Sequence, residues 1–179
     1  MGATGERISV CMVAPRREQC GVTDYTDYLL APLREMADVR HVTDAAGFTE
    51  AMNDVDIVHI QHQYFLFGGV APWKNRFKEF ADRIRVPAVL TAHEFVEPSG
   101  NPAAAAAIRV TNRRNFLHRA VKRIIVHTEA DRARMESERG GIPGGISVVR
   151  HGVPPAPPLP PRDEARRALG VEGRFVVTL

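Results

Sequence analysis

Two cysteines, Cys11 and Cys20, are all that this 179-residue sequence contains. They are too few for a disulfide framework and suit a reducing compartment, where both thiols simply pack. No run of eighteen apolar residues occurs and no charged-then-apolar leader opens the sequence. The expectation is therefore a cytoplasmic protein that neither spans a membrane nor is exported. Charge of one sign is also scarce, with 24 Lys and Arg against 21 Asp and Glu leaving +3. A surplus that small, scattered and framed by no RNA- or DNA-binding motif, argues against nucleic acid as a partner. Three signatures are missing as well: the G-x-S-x-G nucleophile elbow, the phosphate-binding P-loop, and the G-x-G-x-x-G of dinucleotide sites. Where that last motif would stand there is one glycine, Gly21, which counts against a nicotinamide or flavin oxidoreductase. No internal repeat is visible.

What is present is organised around residues 55–69, VDIVHIQHQYFLFGG. A short, β-branched apolar run with little interruption reads as a strand buried on both faces, as in the centre of a parallel sheet. It opens abruptly into Gln61, His62, Gln63 and Tyr64. Ligands of open α/β sheets bind outside the carboxyl ends of the strands, so this is either a binding edge or a polar loop that only solvates its own backbone.

The remaining chain alternates strand and helix. Residues 7–13 form a first strand, followed by a loop punctuated by Pro15 and Gly21 and a helix that Thr23 or Asp24 could cap. Tyr25, Leu29, Leu33 and Met36 make one apolar stripe on that helix. A strand over 39–43 and a weak helix over 45–53 precede the organising strand. A helix over 73–84 carries Trp73, Phe77, Phe80 and Ile84 on one face. A strand over 86–91 then ends at His93 and Glu94. Asn101 followed by Pro102 announces a long helix, with Val110, Leu117 and Val121 on one side and Arg109, Arg113, Arg119 and Arg123 mostly on the other, as a solvated face. A strand over 123–127, a helix over 129–138 capped by Thr128, and a strand over 146–150 complete the pattern. The fold expected is α/β, a Rossmann-like doubly wound parallel sheet with helices on both faces.

Residues 1–152 are expected as this domain. Residues 153–161 (VPPAPPLPP) read as a stiff Pro-rich linker. Residues 162–179, a short helix and a strand at 174–179, read as the start of a truncated second domain; the other reading has that strand joining the first sheet.

Among candidate ligands, His59 and His62 point in different directions at i, i+3 in a strand, and no cysteine or carboxylate cluster completes a shell, so no metal is expected. His93, at a strand end beside the 61–64 loop, could donate to a sugar hydroxyl or polarise a reacting group, or could be satisfied within the core. Phe65, Leu66, Phe67 and Val70 could greet a lipid-linked or aromatic acceptor, or be core contacts; peripheral membrane contact is the weaker of the partner expectations.

Taken together, GVTDYT from Gly21, DIVHIQHQY from Asp56, LTAHEF from Leu90, VHTEADR from Val126 and VRHGVP from Val149 resemble the N-terminal half of glycosyltransferase family 4. These stretches cover residues 7–154 in the family's order and spacing. The resemblance implies one half of a GT-B fold, in which two Rossmann-like domains face each other across a cleft. It also implies a retaining enzyme that transfers a hexose from a nucleotide sugar (UDP- or GDP-linked) to a hydroxyl acceptor. His93 would be the histidine at the reacting sugar, orienting it and stabilising charge in the transition state. Gly21 and Val22 would form the glycine loop near donor phosphates and acceptor, with Asp24 beside them. Gln61, His62 and Tyr64 would line the acceptor side with Glu94. Thr128 and Glu129 would sit on the cleft rim.

The family's basic pair for the donor diphosphate and its paired glutamates belong to the C-terminal domain, and this sequence holds neither. No cofactor is expected on this half, and the chain alone is expected to be inactive, because positioning both substrates supplies much of the rate. Its expected partners are the sugar or hydroxyl acceptor and a C-terminal donor-binding domain, from the same gene or a separate chain. The rival reading is a non-catalytic module that pairs with a separately encoded donor-binding domain.

Overall fold

A computed structural model describes residues 7–139, 145–152 and 158–177. Along the chain run β1 (Ser9–Val13), α1 (Gly21–Met36), β2 (Asp38–Val42), β3 (Ile57–His62), α2 (Phe77–Ala81), β4 (Ala88–Ala92), α3 (Pro102–Phe116), β5 (Val121–Val126), α4 (Glu129–Arg139), β6 (Ile146–Val148) and α5 (Arg162–Ala168). The six strands form one parallel sheet in the order β2-β1-β3-β4-β5-β6. From β1 the chain steps outward to β2, returns across β1 to β3, and then proceeds outward to β6. The order therefore reverses between β1 and β3, and a crevice opens at their carboxyl ends.

Both faces of the sheet are covered, as the alternation of side chains along a strand demands. On one face Cys11, Val13, Val58, Ile60, Ala88, Leu90 and Ile124 pack with Phe77 and Phe80 of α2, Phe116 of α3 and Met135 of α4. On the other, Met12 and Ala14 pack with Leu30 of α1, flanked by Leu29 and Leu33. β3 is central, and Val58, Ile60, Gln61 and His62 on it are all fully buried. The expected Rossmann-like doubly wound sheet is the one observed. No helix among the described residues is long and apolar enough to cross a membrane.

Several elements differ from the sequence reading, each for a local reason. α1 starts at Gly21, ahead of the expected caps. Thr23 is inside the helix, its hydroxyl accepting from the Arg17 amide at 3.0 Å and donating to the Pro15 carbonyl at 3.3 Å. It pins the 15–20 loop instead of capping. The helix expected over 45–53 is a single 3-10 turn, Glu50–Asn53. The helix expected over 73–84 shrinks to Phe77–Ala81. There the Asn75 side chain donates to the Gly69 carbonyl at 2.8 Å and accepts from the Phe77 amide at 3.2 Å, a local bonding scheme that competes with helix. Trp73 is left 78% exposed.

α3 begins as read, with the Asn101 side chain accepting from the Ala104 amide at 2.9 Å. Its buried face is not the expected apolar one. Val110 is exposed, while Thr111, Asn112, Asn115 and Phe116 face inward. Interior partners offset the cost of burying these residues: Thr111 donates to the Val70 carbonyl, Asn112 to the Val96 carbonyl, and Asn115 Nδ2 to His62, although Asn115 Oδ1 has no partner among the described residues. The strand expected at 174–179 is absent over 174–177, where Phe175 is 95% exposed; a lone strand has no neighbour to satisfy its backbone. Residues 153–157 of the expected linker lie outside the described residues.

Candidate functional site

The parallel register carries Gln61 of β3 to a position opposite Thr91 of β4, and His93 follows one residue past the end of β4. The backbone ladder continues to that point, the His93 amide donating to the His62 carbonyl at 3.1 Å. Gln61 and His93 thus project from adjacent strands, and Oε1 of Gln61 accepts from Nε2 of His93 at 2.8 Å. The other end of the same amide faces Met12 Sδ and His59 Nε2, each at 3.4 Å, and His59 Nε2 meets the Thr91 hydroxyl at 2.8 Å. A polar chain, Thr91–His59–Gln61–His93, runs from the sheet interior to its edge. It leaves His93 with a proton on Nε2 and a lone pair on Nδ1.

Burial, reinforced by the neighbouring His127, His151 and His59, holds the His93 pKa down to about 3. At neutral pH the ring is uncharged. It can orient a hydroxyl or present a dipole, but a general acid of that pKa would carry no proton to give.

The ring of Tyr25, near the start of α1, stands against three histidines: His93 at 4.8 Å between centroids, His127 at 5.3 Å and His151 at 4.6 Å. His127 directly follows β5 and His151 lies shortly after β6, so one aromatic cluster joins the ends of α1, β4, β5 and β6. Nδ1 of His127 donates to the Val149 carbonyl at 2.9 Å, while its Nε2 is buried without a partner. Sequence reading missed Tyr25, taken only as part of an apolar stripe, and gave no role to His127 or His151. A signal was there: His93, His127 and His151 each stand just after a strand of a parallel sheet, where side chains gather.

Beside this cluster a cavity of about 610 Å³ is lined by Gly21, Asp24, Tyr25, Tyr28, Leu29, Pro32, Val149, Arg150, His151 and Gly152. Gly21 and Asp24 therefore sit on its wall. The first amides of α1, at Gly21 and Val22, are those a helix leaves without an intrahelical partner. A pocket of about 50 Å³ joins His93, Glu94, His127 and Asp131.

Other expected site residues are placed elsewhere. The Val22 side chain is buried, so only its backbone could meet a ligand. His62 is fully buried, with Phe67, Phe77, Phe116 and Tyr64 around its ring, and burial lowers its pKa to about 3. Tyr64 is also buried, its hydroxyl donating to Asn112 at 2.6 Å. Side-chain alternation explains His62: along β3, Gln61 points to the side of His93 and His62 to the opposite, aromatic one, whereas Tyr64 lies beyond the strand in the 3-10 turn Tyr64–Phe67. Phe67 is core, and Leu66 and Val70 pack against it. Phe65 is partly exposed, under the Arg17 guanidinium.

Thr128 accepts from the Asp131 amide at 3.0 Å as an N-cap, and Glu129 pairs with Arg132 at 2.9 Å. Both are exposed at the start of α4. His59 and His62 do not converge.

A search of curated proteins and a search of solved structures each returned no match. The family model for Glycosyltransferase Family 4 matches residues 11–156. That match runs from β1 past β6 and takes in the whole histidine-lined edge, over a sheet of the matching architecture. The chain belongs to glycosyltransferase family 4.

Proposed function

We propose that this chain is the acceptor-binding half of a retaining, nucleotide-sugar-dependent glycosyltransferase that passes a hexose to a hydroxyl. The observation that carries this reading is the Gln61–His93 pair at the carboxyl ends of β3 and β4, with the cavity walled by Gly21, Tyr25 and Tyr28 alongside. A cavity lined by tyrosine rings and a few polar groups suits a saccharide, whose C–H faces lie on aromatic rings while its hydroxyls reach Asp24, His151 and backbone groups. His93 orients the reacting sugar through Nδ1, and the amides at the start of α1 stand ready for negative charge. The donor, a UDP- or GDP-sugar, is held mainly by a separate donor-binding domain. Without that domain the two substrates are not brought into attack geometry, so the isolated chain is inactive.

Ligand-observed NMR with a panel of glycosides and of UDP and GDP tests the assignment. Saturation transfer to glycosides, lost in His93→Ala and Tyr25→Ala, is the expected result. Tight binding of a nucleotide with no glycoside contact would reverse the assignment of the two halves. Turnover of a UDP- or GDP-sugar by the isolated chain, followed by mass spectrometry, would show that no second domain is required.

A further inference from the structure

One atom in the aromatic cluster is not accounted for by packing. His127 Nε2 is buried and has no hydrogen-bond partner, a state that needs an explanation in a folded protein. His93, His127 and His151 each offer one ligand nitrogen, and the three nitrogens lie within 4.8 Å of one another. We propose that these three histidines form a binding site for a divalent transition-metal ion of the zinc type, with a fourth position open to solvent or ligand.

The hydrogen bonds around the cluster favour metal ligation over simple ring packing. A ligating imidazole generally directs its other nitrogen at an oxygen acceptor, which fixes ring orientation and raises ligand basicity. All three rings do so. Nε2 of His93 meets Oε1 of Gln61 at 2.8 Å, Nδ1 of His127 meets the Val149 carbonyl at 2.9 Å, and Nδ1 of His151 meets the Gly152 carbonyl at 3.1 Å. That leaves Nδ1 of His93 and Nε2 of His127 and of His151 free to coordinate. Asp131 and Glu94 line the adjoining pocket with His93 and His127 and add negative charge near the cation.

Zinc–nitrogen bonds of about 2.0–2.1 Å place tetrahedral ligands roughly 3.3 Å apart, so the cluster must contract. His93 and His127 are half-buried at strand ends, whereas His151 is exposed and free to swing in. An all-imidazole set with no thiolate suits zinc and its neighbours among the first-row metals, not magnesium or calcium.

The site rests on the histidines and not on the acceptor reading, although the two meet at His93. One lone pair on Nδ1 cannot serve a metal and a sugar hydroxyl together, so metal occupancy excludes that sugar contact.

Calorimetric titration of the purified chain with Zn²⁺ at neutral pH, with Co²⁺ as a spectroscopic stand-in, tests the site without any sugar or nucleotide. One ion per chain is expected, with the intense visible absorption of four-coordinate Co²⁺. Affinity should fall by about tenfold or more in His127→Gln and in His151→Gln. His151 is exposed, so its variant remains informative if His127→Gln does not fold, which circular dichroism would report. No saturable binding, a six-coordinate Co²⁺ spectrum, or equal affinity in wild type and His151→Gln would overturn the proposal.

Discussion

His93 takes its orientation from Gln61, a residue 32 positions earlier in the chain, whose Oε1 lies 2.8 Å from Nε2 of the imidazole. Gln61→Leu removes that acceptor from a fully buried position and should lower unfolding free energy by about 1–3 kcal/mol. Gln61→Glu is more diagnostic. It sets a carboxylate beside His93 and should raise that pKa from about 3 toward the ordinary histidine range, read by NMR titration of the imidazole protons. A His93 that titrates unchanged in the glutamate variant would show that the two side chains do not pair.

Gly21 is at the first position of α1, and a methyl group added there would meet nothing within 4 Å. Its φ is not among the positive values, so alanine fits the backbone. Gly21→Ala should leave stability unchanged or raise it by up to about 1 kcal/mol. It should nevertheless weaken glycoside binding about tenfold or more if a ligand approaches this backbone closely. Denaturant midpoints and ligand titrations on the same protein separate the two effects.

Acid should destabilise this fold early. Burial lowers the pKa of His59 to about 4, and of His62 and His93 to about 3. Between those values and about 6.5 the unfolded chain binds protons that the folded chain refuses. Stability is therefore full above about pH 6.5 and falls as pH drops through that window, by on the order of 1 kcal/mol per pH unit for each histidine. Denaturant unfolding across pH 4–7 should show the slope, and His62→Phe should make it shallower. A flat profile would mean the buried rings titrate normally.

Tyr64 and Asn112 join the loop after β3 to α3 through a 2.6 Å hydrogen bond in the core. Tyr64→Phe keeps the ring but leaves the Asn112 carbonyl oxygen short of this donor, at a cost of about 1–3 kcal/mol. Because Tyr64 is buried on the face away from the cavity, glycoside contacts should survive. A loss of ligand binding with stability unchanged would restore Tyr64 to the acceptor side.

Asn101→Ala removes the acceptor for the Ala104 amide and should cost about 1 kcal/mol, while Asn101→Asp should retain most of it. Thermal unfolding of the two variants checks the cap.

The strands were legible because a parallel strand buried on both faces leaves its mark within a few consecutive residues. β3 and β4 both appear as short runs of this kind. The start of α3 was legible for a related reason, since Asn101 and Pro102 act on their own turn. The helix over 73–84 was over-read because the apolar spacing of Phe77, Phe80 and Ile84 says nothing about Asn75, whose side chain bonds the backbone across a turn. The buried face of α3 was misread because Thr111, Asn112 and Asn115 look solvent-facing until the chain supplies Val70, Val96 and His62 as partners.

By itself, then, the sequence determined the alternation of strand and helix, the single parallel sheet, and the gathering of polar groups after β3 and β4, because these depend on neighbours within a few residues. Tertiary structure alone decided that Gln61 meets His93 while His62 turns into an aromatic core, and that Tyr25 brings His93, His127 and His151 into one cluster. Those contacts join residues tens of positions apart. They are set by the order of strands across the sheet and by the twofold alternation of side chains, and no local stretch of sequence encodes which strand ends come to lie side by side.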